Sequence, residues 1–540
     1  MAGLAKITAY SIFIQLVFVK SLWPQQFYLP LNRDYNLRYE PWLYNLQSDM
    51  HTSVRPFMSN EVEKNAPFDS LSSAHYIRDN KFNNTWVGRK LFKEHLFEVK
   101  GEDFNFYLDP AFEFKIMHDR DKGNLVVNTR GVWLSGNIGE RFSFSTSFYE
   151  SLSKFPAYLD SFIQVQRVIP GGARPKKLYG NYDYNIASGT ISYSLKKYFN
   201  FQFGHDKVFI GDGYRSLLFS DNAFNFPYLK ITLTIWKIKY QNLYVAFQDR
   251  KIPVKEGEPY KKKYGTFHYL DFNIGKRASI GLLEAVIWKS DSVRGQCFDV
   301  NYLNPIIFFR PVEFSLNSPD NALIGFTAKY KITGSITAYS QLLLDEFKIE
   351  EVRAGNGWWA NKQAVQFGIK YFNVAGIKNL HLNTEYNFVR PYTYQHWSSL
   401  TAYAHYNQSI THPLGANFWE SVSIINYSYK NFGVEAEIMY AEIGYDYFKD
   451  SLGNVINYGQ DVWQSYFTHP NEYGNEVGQG LKTKQLYTDF KFTYLVNPKS
   501  NLRVEAGLVN RIAKNELGKN ETLYFYFGIR TALTNRYYDF

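Results

Sequence analysis

From Val365 onward, apolar and polar residues alternate one by one: Gln366, Gly368 and Lys370 separate Val365, Phe367, Ile369 and Tyr371. A period of two belongs to an extended strand with one apolar and one wet face, because successive side chains point to opposite sides of the backbone. Leu380, Leu382, Tyr386 and Phe388 repeat the pattern against His381, Asn383, Glu385 and Asn387, and the short stretch 373–378 between the two runs predicts a hairpin. The same reading holds for Phe432, Val434, Ala436 and Ile438 against Glu435 and Glu437, and for Leu502, Val504, Ala506 and Leu508 against Arg503 and Glu505. Charge of both signs falls on the polar face, while the apolar face is continuous. A soluble sandwich buries its apolar face; a barrel in lipid turns that face outward and keeps a charge-paired lumen.

After Val19 no apolar run reaches the roughly 20 residues of a spanning helix. A membrane-inserted chain of this kind must therefore close its backbone hydrogen bonds as a barrel. The predicted fold class is all-β: a transmembrane antiparallel β-barrel of about 18 strands, from 103–118 through 226–238 and 240–249 to 521–532. Short links at Lys196-Lys197, Lys239, 275–278, Ile332, Asn431 and 497–499 are expected to alternate with long ones without a break, as periplasmic turns alternate with external loops. Two adjacent apolar pairs, Ile235-Trp236 and Ile424-Ile425, break the parity and predict bulges or interface crossings. The terminal Phe540, just past a final alternating strand, resembles an outer-membrane assembly signal.

Residues 1–24 read as a signal peptide, with Lys6 ahead of the apolar stretch Ile7 to Val19. Residues 25–100 do not alternate, contain Pro30, Pro41, Pro56 and Pro67, and include one amphipathic helical stretch around Trp86 to Phe97. They are expected to form a plug or periplasmic segment ahead of the barrel, 101–540. Composition narrows the function. Aromatic residues at 19% with charged residues at 20% and a mean hydropathy of -0.36 exclude both a disordered chain and a helical membrane bundle. A single cysteine, Cys297, leaves no internal disulfide and no thiolate zinc site. The net charge of +10 is too dispersed for nucleic-acid binding.

The unusual residues lie in the long loops, all expected at the extracellular end. They are GDGYRSLLFSDNA with Asp212, Tyr214, Arg215, Asp221 and Asn222; NPIIFFRPVEF with Arg310 and Glu313; LLLDEF with Asp345; and VRPYTYQHW with Arg390, Tyr392, Tyr394, His396 and Trp397, followed by HPLGANFWE with Asn417. As a ligand site, the tyrosines and Trp397 would offer flat faces to pyranose rings, and the Arg forks would suit uronate carboxylates. As packing, the same Arg, Asp and Glu residues would pair with one another and fill the lumen. No metal or cofactor is expected. No D-x-D-x-D-G calcium loop occurs, and His396, His405 and His412 are spaced like no compact metal site. No G-x-S-x-G nucleophile setting supports an enzyme, and Gly211-Asp212-Gly213 lacks the Gly-Lys-Ser/Thr of a phosphate loop.

These four motifs, in this order, resemble the capsule-assembly Wzi family in its Bacteroidetes branch, which includes gliding-motility-associated outer-membrane proteins. The resemblance covers residues 100–540. It implies an outer-membrane barrel closed by its N-terminal region and loops, set in outer-membrane lipid. Its partners would be a surface polysaccharide (capsule) or proteins of the gliding and adhesion machinery. The alternative reading is a porin for solute passage.

Overall fold

The alternating strands close into a ring. In the computed structural model, which describes residues 26–540 apart from 74–75, 77–80, 291–297, 307, 309–310, 313–314, 316–317 and 347, eighteen antiparallel strands form one barrel. The expected signal segment, Arg310 and Glu313 lie outside the described residues. The first strand, β1, runs over Phe104–Pro110 and Glu113–Asp119 with a break between. Then come β2 Gly123–Ile138, β3 Phe142–Ser153, β4 Asn181–Leu195, β5 Phe199–Asp206, β6 Phe226–Ile235, β7 Ile238–Asp249, β8 Lys261–Ile274 and β9 Ala278–Lys289. The second half comprises β10 Asn321–Lys331, β11 Ile336–Glu346, β12 Lys362–Phe372, β13 Leu380–Val389, β14 Phe418–Tyr429, β15 Phe432–Tyr445, β16 Leu481–Asn497, β17 Leu502–Asn515 and β18 Gly518–Thr531. Each strand pairs with its sequence neighbours, and β18 closes on β1 from Tyr524 opposite Asp119 to Arg530 opposite Glu113.

The wall inverts the burial of a soluble protein. On β12, Phe367 is 60% exposed whereas Gln366 and Lys370 are buried; on β15, Ile438 is 52% exposed whereas Glu435 and Glu437 are buried. In water such an aromatic and aliphatic exterior would be costly over its whole area, and in acyl chains that cost vanishes.

Several sequence expectations need correction. The short and long connections do not alternate without a break, because two outer connections, 120–122 and 516–517, are tight turns. Extending the flanking strands consumed residues that the alternation pattern had left in loops. Of the two readings for Ile235 and Trp236, the bulge does not occur: the strand ends at Ile235, and Trp236, at φ 55° and 77% exposed, sits at the barrel's edge in the turn to β7, so the link is 236–237 rather than Lys239. Ile424 and Ile425 sit in unbroken register opposite Asn383 and Leu382, with Ile424 turned into the lumen and Ile425 toward lipid. The register shifts of the wall fall instead at Leu344/Glu346 and Leu495/Asn497.

The lumen is filled from three directions. Residues 26–72 fold as short helices around Leu29, Tyr39, Leu43, Tyr44, Phe57 and Val62, packed on Phe372 of β12. Ion pairs fasten this segment to the wall: Asp34 to Arg530 at 3.0 Å, Glu40 to Lys370 at 2.7 Å, and Glu61 to Lys239 at 2.6 Å. The long connection 207–225 dips inward, and its Phe209-Ile210 pairs as a short ladder with Val54-Arg55. The third element is the tail 532–540, which turns back inside. Phe540 is buried against Phe162 at 5.0 Å, and its carbonyl accepts a hydrogen bond from Arg511 Nε at 2.9 Å. The final aromatic therefore lies apart from the lipid-facing row of β18, and its contacts are those of a lumenal packing residue. The helix expected over Trp86 to Phe97 is shorter, Trp86–Phe92, and Phe97–Lys100 forms a strand.

Candidate functional site

The loop motif that looks most like a binding sequence is threaded into the barrel, and its residue types follow from that path. At Gly211 (φ +149°) a Cβ would stand 2.3 Å from Gln341 Nε2, and at Gly213 one would stand 2.4 Å from Glu385 Oε1. Only a bare backbone passes this close to the wall. Beyond the glycines, the amides of Tyr214 and Arg215 both donate to the Glu385 carboxylate, Leu217 N donates to Gln341 Oε1 at 2.8 Å, and Gln366 Nε2 donates to the Arg215 carbonyl at 3.1 Å. Four wall strands supply the next contacts: Glu385 from β13, Glu420 from β14, Glu437 from β15 and Gln341 from β11.

Arg215, 1% exposed, is the centre of this layer. Its Nη2 lies 3.0 Å from Glu420 and 2.7 Å from Asp539 of the inserted tail. Burial alone would lower its pKa; Asp539 and Glu420 more than offset that and hold the guanidinium charged well above its ordinary value. His412 Nε2 reaches the same Glu420 at 2.8 Å. Tyr214 donates through its hydroxyl to Asp539 at 2.9 Å, while Arg33 lies 4.4 Å over its ring. Asp221 accepts from Tyr537 at 2.8 Å and Asn535 at 2.9 Å, and Asn222 Nδ2 donates to the Ser409 carbonyl at 3.0 Å.

Asp212 belongs to a second cluster, shared with the N-terminal segment. It accepts from Tyr44 at 2.9 Å and from Thr52, with Lys329 3.7 Å away. Burial pushes its pKa up, but Lys329, the Thr52 hydrogen bond and Arg55 together hold it below the usual carboxylate range. Glu40 behaves alike: Lys370 and Arg55 overcome burial.

The roof lies above these clusters. Asp345 pairs with Lys362 at 3.1 Å and accepts from Tyr394 N at 2.9 Å; the Tyr394 hydroxyl donates to the Leu217 carbonyl at 2.8 Å. Arg390 donates to the carbonyls of Asn361 at 2.8 Å and Asn475 at 3.3 Å, and burial lowers its pKa. Tyr392 donates to the Asn457 carbonyl at 3.3 Å and Asn475 Oδ1 at 3.2 Å. His396 shares a hydrogen bond with Thr401 at 2.7 Å. Asn417, at φ 58°, donates to the carbonyls of Gly444 at 2.8 Å and Gln479 at 2.9 Å.

The expectation that these residues line one open mouth is thus corrected. Asp212, Tyr214, Arg215, Asp221 and Asn222 sit inside the lumen; Asp345, Tyr392, Tyr394, His396 and Asn417 are buried beneath the roof, and Arg390 is half-buried. Their forks and ring faces are occupied by other residues of this chain. Trp397 is the least enclosed, donating to the Pro319 carbonyl at 2.9 Å with Lys289 5.2 Å over its ring. His405 stands apart from His396 and His412, accepting from Gln248 N at 3.0 Å.

At the outer end lies a shelf of part-exposed aromatic rings that the motif reading missed. Trp359 stacks on His469 at 4.4 Å and 18°, and lies 5.1 Å from Tyr466 and 6.1 Å from Trp358. Trp358 donates through its indole nitrogen to Glu472 at 2.7 Å, and Lys348 lies 4.8 Å over its ring. Phe467 and Tyr473 stand beside it, 70% and 50% exposed. Two connections build the shelf, 347–361 and 446–480, both at the end of the long loops. Its signal in the sequence was the adjacent pair Trp358-Trp359 in the Gly/Asn-rich stretch GNGWWAN. Large flat rings around a carboxylate and an ammonium present stacking faces and polar edges together, the combination that suits a sugar ring. Among the described residues no cluster of metal-ligating side chains occurs.

No family model and no curated relative matches this sequence. Solved structures do resemble the fold. Wzi of Escherichia coli, an outer-membrane protein involved in group 1 capsule assembly and a carbohydrate-binding β-barrel, superposes with a TM-score of 0.55 at 12% identity, covering 94% of this chain and 100% of that one. OprD of Pseudomonas aeruginosa gives a TM-score of 0.41 at 11% identity over 78% of this chain and 94% of that one. The closed wall with its apolar outer belt, together with the Wzi-like architecture, identifies this chain as an outer-membrane β-barrel.

Proposed function

We propose that this barrel is an attachment protein that holds a surface polysaccharide at its outer end, on the shelf of Trp358, Trp359, Tyr466 and His469. The observation that carries the reading is the clustering of these part-exposed rings from two outer connections, beside the exposed Phe467 and Tyr473, whereas the polar groups beneath them are buried and paired within the chain. Wzi, the neighbour in fold, binds carbohydrate, which supports the same ligand class here. Residues 26–72, the connection 207–225 and the tail act as a plug, so the barrel is an anchor for the shelf rather than a solute path. The motifs also resemble a gliding-associated branch, and proteins of the gliding and adhesion machinery are the alternative partners of the same outer end. The role is binding, with no catalytic step.

Calorimetric titration of the detergent-solubilised protein with purified surface polysaccharide tests the reading. Saturable binding that weakens about tenfold in Trp359→Ala, the upper end of a single ring-stacking contribution, is expected. Unchanged affinity in both Trp358→Ala and Trp359→Ala removes the shelf as the site. Large, steady conductance of the intact protein in planar bilayers would favour the channel alternative.

A further inference from the structure

The periplasmic end carries an apolar surface outside the eighteen wall strands that neither the plug nor the outer shelf uses. It is built from residues 82–100. A 3-10 turn, Phe82–Asn84, leads into the helix Trp86–Phe92, whose first turn is capped by Thr85 Oγ1 accepting from Gly88 N at 3.1 Å. A Cβ on Gly88 would stand 2.0 Å from the Phe82 carbonyl, so the turn and helix fold tightly together. Phe82, Trp86, Val87 and Leu91 nevertheless point away from the protein, each at least 40% exposed. The chain then forms the strand Phe97–Lys100, where Phe97 and Val99 are also exposed.

Two observations identify what covers this surface. The first is continuity with the lipid-facing wall. Val99 pairs opposite Phe106 and Phe97 opposite Leu108. Directly opposed residues share a face of the sheet, and Phe106 with its stacked neighbour Phe104 belongs to the exposed outer belt. Phe97 and Val99 therefore extend that belt by one strand. The helix is held at the same end of the barrel, because Asn497, the last residue of β16 before a periplasmic turn, donates to the carbonyls of Lys90 at 3.1 Å and Glu94 at 2.9 Å. His95, paired with Asp109 and stacked on Tyr107 at 4.0 Å, locks the passage between helix and strand into the wall. The second observation is charge. Over 81–100 five basic residues stand against two acidic ones: Arg89 and Lys90 both pair with Glu94 at 2.9 Å and Lys100 pairs with Glu98 at 2.9 Å, so a net positive charge remains with Lys81 and Lys93.

We infer that residues 82–100 form a strap docked on the periplasmic leaflet, with phospholipid as the occupant. Phe82, Trp86, Val87, Leu91, Phe97 and Val99 enter the acyl boundary, and the basic residues meet headgroup phosphates. A short segment with exposed aromatic and aliphatic residues and a surplus of Lys/Arg beside them suits an interfacial position.

The test uses the full-length protein with Cys297→Ser, carrying Val87→Cys or Leu91→Cys with a nitroxide label, in liposomes of phosphatidylethanolamine and phosphatidylglycerol. Phe492→Cys on the lipid-facing wall and Tyr179→Cys, at a 94% exposed position, give the two reference behaviours. Labels at 87 and 91 are expected to collide with oxygen several-fold more than with a water-soluble nickel chelate, like the label at 492. Accessibility like that at 179 overturns the strap and leaves the surface to a soluble partner. An independent readout uses brominated phospholipid: the emission removed by Trp86→Phe should be strongly quenched, and unquenched emission again overturns the inference. Replacing phosphatidylglycerol by phosphatidylcholine should reduce that quenching, and equal quenching in both removes the headgroup contacts from the proposal.

Discussion

The cluster around Arg215 and the shelf around Trp359 are both rich in aromatic and charged groups at the outer half of one barrel, yet they do opposite things. At Arg215 every fork of the guanidinium is occupied: Glu420 and Asp539 take the side chain, and Glu385 takes its amide. At the shelf the rings are only partly enclosed, by one another and by Lys348 and Lys362, and Phe467 and Tyr473 beside them are exposed. Residue type alone does not separate a binding site from a packed interior. What separates them is whether the chain supplies the partner itself. A buried charge without a partner is expensive, so the interior is self-complementary, whereas a site for an external ligand must be left incomplete.

That contrast can be broken most severely at Arg215. Arg215→Ala strands Glu420 and Asp539 in the lumen, and removing one partner of a buried pair costs about 3 to 5 kcal/mol. Urea titration followed by heat-modifiable gel mobility should show that loss. A variant as stable as the parent would mean that the cluster is wetter than its burial implies.

Acid should act next, at the junction of plug and wall. Glu40 and Asp212 have pKa values held below the usual carboxylate range, so their stabilising contribution is fully present above the unfolded value of about 4 and is lost as pH falls through the lower folded values. Planar-bilayer recordings should therefore stay quiet from neutral pH down to about 4, with openings growing only below it. Openings that begin near neutrality would mean that other groups hold the plug.

A smaller loss is expected from Gly213→Ala. The added methyl group meets Glu385 Oε1 and the Arg215 carbonyl, so the loop must shift, at a cost of about 1 to 3 kcal/mol typical of overpacking. Thermal melts of purified protein measure it, and no change would show that the threaded loop is loose.

The smallest stability effect belongs to the shelf. Trp358→Ala should change unfolding by no more than about 1 kcal/mol while weakening glycan binding. Equal loss of stability at Trp358 and Arg215 would erase the distinction between the two regions.

Much of the wall was legible because a strand's facing is a local property. Val365 to Tyr371 needed only their own order to be assigned lipid or lumen, and Phe367 and Lys370 face as that order requires. The exceptions show where locality stops. Ile424 is apolar and faces inward because the lumen is packed, and a single strand does not report that its lumen is filled. Phe540 followed a lipid-patterned strand, yet the chain turns inward after Thr531 and buries it. Trp358 and Trp359 were passed over because no strand pattern surrounds them, and the loop opposite, with Tyr466 and His469, is what turns them into a shelf.

The sequence by itself determined a chain of alternating strands with an apolar exterior and a charged interior, since period two and composition require nothing beyond neighbours in the chain. Only the tertiary structure decided which charged and aromatic groups are buried against one another and which stay partly exposed at the outer end. The reason is distance along the chain: Arg215 meets Asp539 across a separation of 324 residues and Tyr44 meets Asp212 across 168, pairings that exist only once the ring has closed.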